Sequence, residues 1–581
     1  MHQFVSLIRD LDQALGNLEK KDLIKDYLCN ALGQDDPGET TICSKTDDEW
    51  RSISWAIYFL SGEKLHGIFS TNLLKKYVLK KTNMAKWLFD QSYDSVGDLA
   101  ETIAHLVCEK RDVREGQTHS LNKKIRSFTE IKNQDDDQKI HFLMEDFDHK
   151  SFYYIFTICK LFTGGFRLGI SRLQIAQVIA EICRVKKELI ASRLILFFND
   201  TYPNIGIVKN LFSERFPISQ RNFELDIKNS IPLPFFLSQN LSSQIEDDFF
   251  RIYKPHDWII EWKWDGIRIQ LLVKIDVKTQ RKDIQLWTRG EEFVTEKFSG
   301  LIRIAEQYIT EDVVLDGELL VWDFDRNLPK KFSSIQKIFA KKSSRSSEAG
   351  KDLAGDVIFM VYDILSTKNT DLRGVPLEKR KKILGQFQKN YSNLDQFMLS
   401  PIFLNVSHQK LNQLRNTARE NRVEGVMIKR KNGLYGVGRT KGKTGYDSYK
   451  WKINPLSADA VIIYAQKGHG IRSGIFSDYT FAVYNDEKDP QELVPFAKAY
   501  SGLSNSDIKT IDKKIKKIIE ESYGPVKKVR PEIVIELHFD SISESKRHKS
   551  GIAVRFPRMK RIRLDKTLND IDKLSNLKKL I

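Results

Sequence analysis

The residues of this sequence best suited to chemistry are charged side chains set inside apolar runs. In "DWIIEWKWDGIRIQLL", residues 257 to 272, Lys263 and Asp265 stand among Trp258, Ile259, Ile260, Trp262, Trp264 and Ile267. An ammonium is costly to desolvate, so a strand that holds one among aromatics either lets it snorkel to water or uses it as a reactive group. Glu318 in "LDGELLVWD" and Glu424 in "EGVMIK" raise the same question for carboxylates. In apolar strands these are costly unless paired with lysines or placed on a metal. Lys450 and Lys452 in "YKWKI", Arg289 in "TRGEEF" and the run "VRFPRMKRIRLDK" at 554 to 566 supply further fixed cations.

The elements that must position these groups change character along the chain. Over the first ~210 residues, "FVSLIRDLDQALGNL", "LAETIAHLVCEKR" and "SRLQIAQVIAEICRVKKELIASRLILFF" repeat apolar residues at three and four, which predicts helices. Within that region "LFTGGFRLGISRLQIAQVIAE" places Gly164, Gly165 and Gly169 before a long helix, with Ser171 as its N-cap. Backbone amides there, beside Arg167 and Arg172, suit nucleic-acid phosphates; a tight interhelix turn explains the glycines equally well. Residues 213 to 245 break the helical period with prolines and polar residues and read as a linker. From about 250, short apolar runs alternate with charged turns and with the helices "KFSGLIRIAEQYI" and "LEKRKKILGQFQ", which predicts an antiparallel α+β domain. "KKSSRSSEAGKDLAGD", residues 341 to 356, reads as an exposed loop within it. Beyond Pro455, spaced strands and one helical stretch suit a five-stranded barrel of the OB type.

At 581 residues the chain exceeds one hydrophobic core. No run approaches the length of a membrane span, and the amino terminus is too charged for a secretory signal, so a soluble intracellular protein with no membrane partner is expected. The five cysteines, Cys29, Cys43, Cys108, Cys159 and Cys183, are odd in number and lack CxxC spacing, which argues against a disulfide framework. Residues 184 to 581 contain none, so a four-cysteine zinc module there is excluded. A formal charge of +17 points to a polyanionic partner. Residues 429 to 452 hold eight Lys/Arg against one acid, and residues 541 to 581 hold twelve against four. A solvated surface is the ordinary explanation of one such cluster; two of them beside these motifs weaken it.

A single KxDG is a weak signal. Here "KWDGIR", "TRGEEFVTEKF", "LDGELLVWD", "FMVYDIL", "EGVMIK", "YKWKI" and "VRFPRMKRIRLDK" follow one another in order. The series resembles the covalent nucleotidyltransferase superfamily, and most closely the bacterial ATP-dependent DNA ligases with an amino-terminal helical DNA-binding domain. "TGGFRLGIS", "VPFAKAYSGL" and "SKRHKSGIAVRFPR" carry the closer likeness. The resemblance implies a multidomain chain: an all-α DNA-binding domain over 1–212, a linker and lead-in over 213–245, an α+β adenylyltransferase domain over 246–453 and an OB-fold β-barrel over 454–581. The middle domain would be an ATP-grasp-like nucleotidyltransferase with antiparallel sheets.

It also implies roles. Lys263 would be the catalytic nucleophile that becomes AMP-lysine, its amine deprotonated by an apolar wall of Trp262 and Trp264, by cations nearby, or by both. Glu261 would accept from the adenine amino group, Asp265 and Arg268 would hold the ribose end, and Tyr362 would stack on the base. Trp262 and Glu318 would also line the nucleotide. Glu318 and Glu424 would contact Mg2+ (or Mn2+), and Lys450 and Lys452 would hold the α-phosphate. The family usually has Trp where Ser448 stands. Arg289 would meet the 5′-phosphate of a nick. Arg555, Arg558, Arg561, Arg563, Asp565 and Lys566 would face pyrophosphate, and Gly164, Gly165, Arg167, Gly169 and Ser171 the DNA backbone.

The activity implied is ATP-dependent sealing of nicks in duplex DNA, with ATP and a divalent cation as cofactors. A monomer clamped around the duplex, a cytoplasmic, nucleoid-associated location, a role in DNA repair or as an accessory ligase, and repair nuclease or helicase partners complete the family expectation. RNA ligases and capping guanylyltransferases are the nearest alternatives, and Glu261 with the long helical region disfavours capping. A catalytically silent nick-binding protein is disfavoured because Lys263, Glu318, Glu424, Lys450 and Lys452 are all present. The missing zinc module disfavours an NAD-dependent ligase.

Overall fold

Up to residue 212 every described regular element is a helix, as the apolar spacing predicts, but the helices are shorter than the pattern implies. The structure is a computed structural model that describes residues 1–14, 16–33, 45–108, 119–166, 168–185, 187–197, 203–212, 232–241, 243–276, 278–340, 356–368, 370–390, 395–440, 444–468, 474–487, 492–523 and 526–581. Arg167 and nearly all of the loop at 341 to 356 lie outside the described residues. The first periodic stretch yields His2–Gln13 and Asn17–Leu32, the second starting after Gly16 in an extended conformation. The long helix expected after Ser171 is two, Arg172–Ile182 and Lys187–Phe197. Ser171 caps the first as expected: its hydroxyl accepts from the Gln174 amide and the Gln174 side chain accepts from the Ser171 amide. The break falls at Arg184, φ +52°, where the Val185 amide reaches back to the Ala180 carbonyl at 2.9 Å. That is a Schellman-type ending, and with arginine in place of the usual glycine it leaves no mark in the sequence.

The chain forms two compact units. One comprises Met1–Gln13, Gly62–Arg167 and Asn454–Ile581; the other comprises Ala14–Ser61 and Leu168–Ile453. The helical region expected over 1–212 has segments in both units. An apolar stripe shows which helix face is buried, not which segment covers it.

In the second unit two mainly antiparallel sheets carry the chemistry-bearing residues. Their strands are β1 (Trp258–Trp262), β2 (Ile267–Ile275), β3 (Lys282–Thr288), β4 (Val313–Asp323), β5 (Val357–Thr367), β6 (Phe397–Leu399), β7 (Ile402–Leu404), β8 (Gly425–Arg430) and β9 (Ser448–Lys452). One sheet runs β6-β5-β4-β2-β3. The other runs β7-β1-β8-β9, with Gln239–Asn240 added parallel to β9. Alternation along each strand sorts the residues by face. Leu315, Leu319 and Phe359 pack on one side of the first sheet against Leu301 and Leu384 of the helices Ser299–Tyr308 and Leu377–Lys389. Leu320, Trp322, Ile358 and Met360 pack on its other side with Trp264. In the second sheet Trp258, Ile260, Val426, Ile428 and Trp451 share one core. Glu261, Met427, Lys429, Lys450 and Lys452 alternate with them and so take the opposite face.

The expected linker is partly structural. Leu233 and Phe235 lie in a core with Leu272, Trp287, Val314 and Tyr435, and Phe236–Leu237 pairs in parallel with Gly438–Arg439. Prolines and polar residues hid this because edge strands of two residues carry no periodicity.

In the first unit, the strand Leu456–Lys467 pairs antiparallel with Phe476–Asn485, Val526–Val529 and Val534–Phe539. Among the described residues this sheet has seven strands, where the sequence predicts a five-stranded barrel. The pair Ile519–Tyr523 and Val526–Val529 escaped notice because glutamates and lysines interrupt its alternation. The core holds Tyr479, Phe481 and Phe539 with Ile511 and Ile515 of the helix Asn505–Ile518. No helix among the described residues is long and apolar enough to cross a membrane.

Candidate active site

The strand expected over 257 to 272 is two strands, and Lys263 occupies the connection between them. The Lys263 amide donates to the Gly425 carbonyl at 2.9 Å, and the Glu424 amide donates to the Lys263 carbonyl at 2.8 Å. Backbone pairing thus fixes Lys263 beside Glu424, and Lys263 Nζ forms an ion pair with the Glu424 carboxylate. The Lys263 side chain is 21% exposed. Of the flanking tryptophans, Trp262 packs edge-on to Phe403, and Trp264 donates through Nε1 to Ser400 Oγ at 3.0 Å. Consecutive side chains of an extended chain point to opposite sides, so the tryptophans that flank Lys263 turn away from it. Gly266 closes the turn. A Cβ there would stand 2.3 Å from the Leu319 carbonyl and 2.8 Å from Glu318 Cγ, so only glycine lets the turn rest against β4 where Glu318 is carried.

Around Lys263 the carboxylates and cations are unequally matched. Burial works against the Glu424 charge, but the Lys263 and Lys452 ammoniums outweigh it and hold that carboxyl well below the ordinary range; Lys452 Nζ lies 3.3 Å away. Asp265 is in hydrogen-bond contact with Glu424. Glu318 behaves in the opposite way. Burial pushes its carboxyl up to about 7, with Lys263 and Arg268 opposing the shift, and it has no ion pair among the described residues. Lys450 has no ion pair among them either. Burial together with Lys263, Arg289, Lys452 and Arg439 lowers its pKa, the mark of an ammonium surrounded by like charge.

Among the described residues no three metal-ligating side chains cluster; the two carboxylates expected to hold a metal, Glu318 and Glu424, influence each other electrostatically. Mg2+ is commonly held by one or two carboxylates together with phosphate oxygens and water. A half-buried carboxylate with no ion pair among the described residues, Glu318, beside Glu424 suits that ion.

A second group of buried charges lies at Glu261. Its carboxylate is 1% exposed and pairs with Lys381 of the helix Leu377–Lys389 and with Lys429 of β8, whose Nζ is 2.6 Å from Oε2. Burial alone would raise this carboxyl; the two ammoniums outweigh it and hold it low. Lys381 Nζ also donates to the Tyr362 carbonyl at 2.6 Å, and Lys429 Nζ stands 4.8 Å from the centre of the Tyr362 ring. Arg268 is already engaged: Nε and Nη2 donate to Asp316 at 3.0 and 2.7 Å, and Nη1 donates to the Phe236 carbonyl at 2.8 Å. Tyr435 donates to the same aspartate at 2.7 Å. The guanidinium expected at the ribose is thus held from behind. Beside Tyr362, Asp363 and Arg380 form a buried two-point pair at 2.9 Å in both contacts.

Arg289 is exposed and shares a cavity with Arg172, Leu173, Phe235, Trp287, Glu291 and Gly438. Arg172, the first residue of its helix, pairs with Glu291. Ser448 is buried, its hydroxyl 2.7 Å from that of Ser238, so a small polar contact stands where the family carries tryptophan. Gly164, Gly165 and Gly169 all have positive φ, which supports the turn reading of these glycines. The Gly165 carbonyl accepts from Lys160, whose buried ammonium also meets Asp98 at 2.5 Å. On the C-terminal β domain, Arg558 pairs with Asp540, Arg561 with Glu536, and Lys566 with Asp459. Arg563 joins Asp459 to Asp565, and Arg555 lies 5.1 Å from the Phe556 ring.

The structure therefore brings together Lys263, Asp265, Glu318, Glu424, Lys450 and Lys452, with Arg268 opposite Glu318 and over the Tyr362 ring, and Glu261 beside Tyr362 through Lys381 and Lys429. Sequence reasoning missed Lys381, Lys429, Asp316, Tyr435 and Arg439. Lys429 stood inside a quoted motif, whereas Lys381 is one of several lysines on a charged helix and had no distinguishing signal.

Three family models match the chain: DNA ligase N terminus over residues 1–180, ATP dependent DNA ligase domain over 236–452 and ATP dependent DNA ligase C terminal region over 472–566. A probable DNA ligase of Koribacter versatilis is 30% identical over 448 residues, spanning 73% of this chain and 71% of that protein. DNA ligase 2 of Methanosarcina mazei is 26% identical over 537 residues, 89% of each chain. The solved structure titled Pmar-Lig_PreS3 shares the fold, with a TM-score of 0.57 at 15% identity over 96% of this chain and 99% of that one. With the ordered motifs, these matches place the chain in the family of ATP-dependent DNA ligases.

Proposed function

We propose that Lys263 is the residue that carries AMP in this ligase, and that the groups around it act on the phosphates of ATP and of a nick. The Nζ lone pair attacks the α-phosphorus, the bond to the pyrophosphate oxygen breaks, and Nζ loses its proton, leaving Lys-AMP. An oxygen of the 5′-phosphate at the nick then displaces Lys263 from that phosphorus. Finally the 3′-hydroxyl attacks the activated 5′-phosphate and AMP departs as the phosphodiester forms. Lys450 and Lys452 hold the α-phosphate, and Glu261, Trp262, Asp265, Arg268 and Tyr362 hold the adenosine end, Arg268 kept in place by Asp316 and Tyr435. Glu318 and Glu424 would hold the divalent cation, which when bound offsets the charge that builds on the phosphate oxygens.

The observation that carries this reading is the Lys263 amine beside Glu424, with Lys450 nearby as an ammonium lacking a carboxylate partner among the described residues. A phosphate is the natural counter-charge for it. Arg289 would receive the 5′-phosphate, and the cations from Arg555 to Lys566 would exchange their carboxylate partners for pyrophosphate. Gly164, Gly165, Arg167, Gly169 and Ser171 would touch the DNA backbone. The boundaries 1–212, 246–453 and 454–581 describe functional modules in this reading, with 213–245 between them. The protein would work as a monomer on the bacterial nucleoid in repair, beside nucleases or helicases that expose nicks.

The test is incubation with α-labelled ATP and Mg2+, wild type beside Lys263→Ala, after stripping bound AMP with pyrophosphate. A denaturation-stable adduct on wild type alone is expected, followed by its discharge onto nicked duplex DNA. An adduct on Lys263→Ala, or none on either, overturns the assignment.

A further inference from the structure

Behind the base-recognition residues lies a lysine that the reaction does not use. Lys381 is buried, its side chain 9% exposed, and it is anchored on the helix Leu377–Lys389 rather than on either site strand. Its ammonium makes two contacts: one to Glu261 Oε1, one to the main-chain carbonyl of Tyr362 at 2.6 Å. Glu261 belongs to β1 in one sheet and Tyr362 to β5 in the other, so a single cation ties together the two residues assigned to the adenine base. Lys429 approaches the same two residues from β8, at Glu261 Oε2 and over the Tyr362 ring.

We propose that Lys381 is a positioning residue that sets the preference for adenine over guanine by keeping Glu261 an acceptor-only carboxylate aimed at the base edge. The inference rests on the assignment of Glu261 to the adenine amino group. Its chemical content is simple. An ionised carboxylate only accepts hydrogen bonds, so it welcomes the amino group at C6 of adenine and repels the carbonyl oxygen at C6 of guanine. Without Lys381 only Lys429 is left to oppose burial, and a buried carboxylate with less cationic support tends to take up a proton and acquires a donor. That donor fits guanine as well as the ion fits adenine. Sites built around a hydrogen bond discriminate strongly against a ligand that cannot supply its partner. Lys381 therefore governs which purine is read without touching it.

The test uses the full chain and measures self-adenylylation with ATP and self-guanylylation with GTP over a range of nucleotide concentrations. Three variants are compared, Lys381→Met, Lys381→Arg and Glu261→Gln, with thermal unfolding followed in parallel. For Lys381→Met the expected result is a KM for ATP raised ~10-fold or more, kcat changed much less, and a ratio of ATP to GTP specificity reduced at least ~10-fold. Lys381→Arg keeps the cation and restores most of the ratio. Should Lys381→Met fail to fold, Lys381→Gln, a neutral side chain whose amide can still donate to the Tyr362 carbonyl, gives the same reading of the ratio. If Glu261→Gln lowers the ratio while Lys381→Met leaves it at the wild-type value, the role of Lys381 is refuted and that of Glu261 stands. If Glu261→Gln leaves the ratio unchanged, the underlying assignment fails and this inference falls with it. Equal loss of kcat with both nucleotides in Lys381→Met reduces Lys381 to a structural part and also refutes the proposal.

Discussion

Replacing Arg380 by methionine breaks the buried pair beside Tyr362, along with the Arg380 bonds to the Val375 and Gly433 carbonyls. Asp363 and Arg380 are 4% and 2% exposed, and the guanidinium meets both carboxylate oxygens at 2.9 Å. Removing the cation while leaving the carboxylate buried is expected to cost about 3–5 kcal/mol, mostly from the stranded charge. The pH dependence carries the sharper expectation. In the native protein burial would raise the Asp363 carboxyl, but Arg380 outweighs it and the pKa is depressed. The stabilisation it gives is therefore present above the unfolded-state value of about 3.9 and disappears as pH falls through the lower folded value. In Arg380→Met the sign reverses. With the main opposing cation gone, the folded pKa rises above the unfolded one, so the variant is weakest at neutral pH and recovers as pH is lowered through the raised value. Urea unfolding of both proteins at pH 7.5, 6 and 5 measures this directly. The gap should be widest at pH 7.5 and narrow toward pH 5, and Asp363→Asn combined with Arg380→Met should cost less than Arg380→Met alone. A loss below about 1 kcal/mol at pH 7.5, the scale of an exposed pair, or one independent of pH, would refute the reasoning.

Other substitutions probe the reaction centre. Gly266→Ala forces a methyl group into the Leu319 carbonyl and Glu318 Cγ; a loss of about 1–3 kcal/mol in unfolding stability should accompany slowed adenylylation, and unchanged values for both would show that the turn is not tight. Lys450→Ala should reduce the adenylylation rate ~10²–10³-fold, as for loss of one oxyanion donor, measured as single-turnover adduct formation. Chelation with EDTA should stop adduct formation reversibly, and Glu318→Ala should prevent Mg2+ from restoring it at any concentration. Glu291→Gln removes the partner of Arg172 and should leave stability within about 1 kcal/mol. The same change should tighten nicked-DNA binding and steepen its salt dependence by about one unit of slope; an unchanged slope would place Arg172 outside the DNA contact.

The sequence by itself marked the candidate reaction centre. Lys263, Glu318, Glu424, Lys450 and Lys452 stood out because a lysine or carboxylate inside an apolar run is costly, and because their motifs follow a fixed order. Helical texture before residue 212 and strand texture after 250 were legible from periodicity alone. What periodicity does not encode is the partner. It did not show that Lys263 meets the Glu424 carboxylate while Trp262 packs on Phe403 and Trp264 bonds Ser400. It marked helices before residue 212 but not which of them pack together. Lys381 and Glu261 are 120 residues apart, and Tyr435 and Asp316 are 119 apart. Local pattern reports how often a residue faces inward; only the pairing of distant strands and helices decides which charges meet there, because the cost of burying each one is settled by whatever the tertiary fold places opposite it.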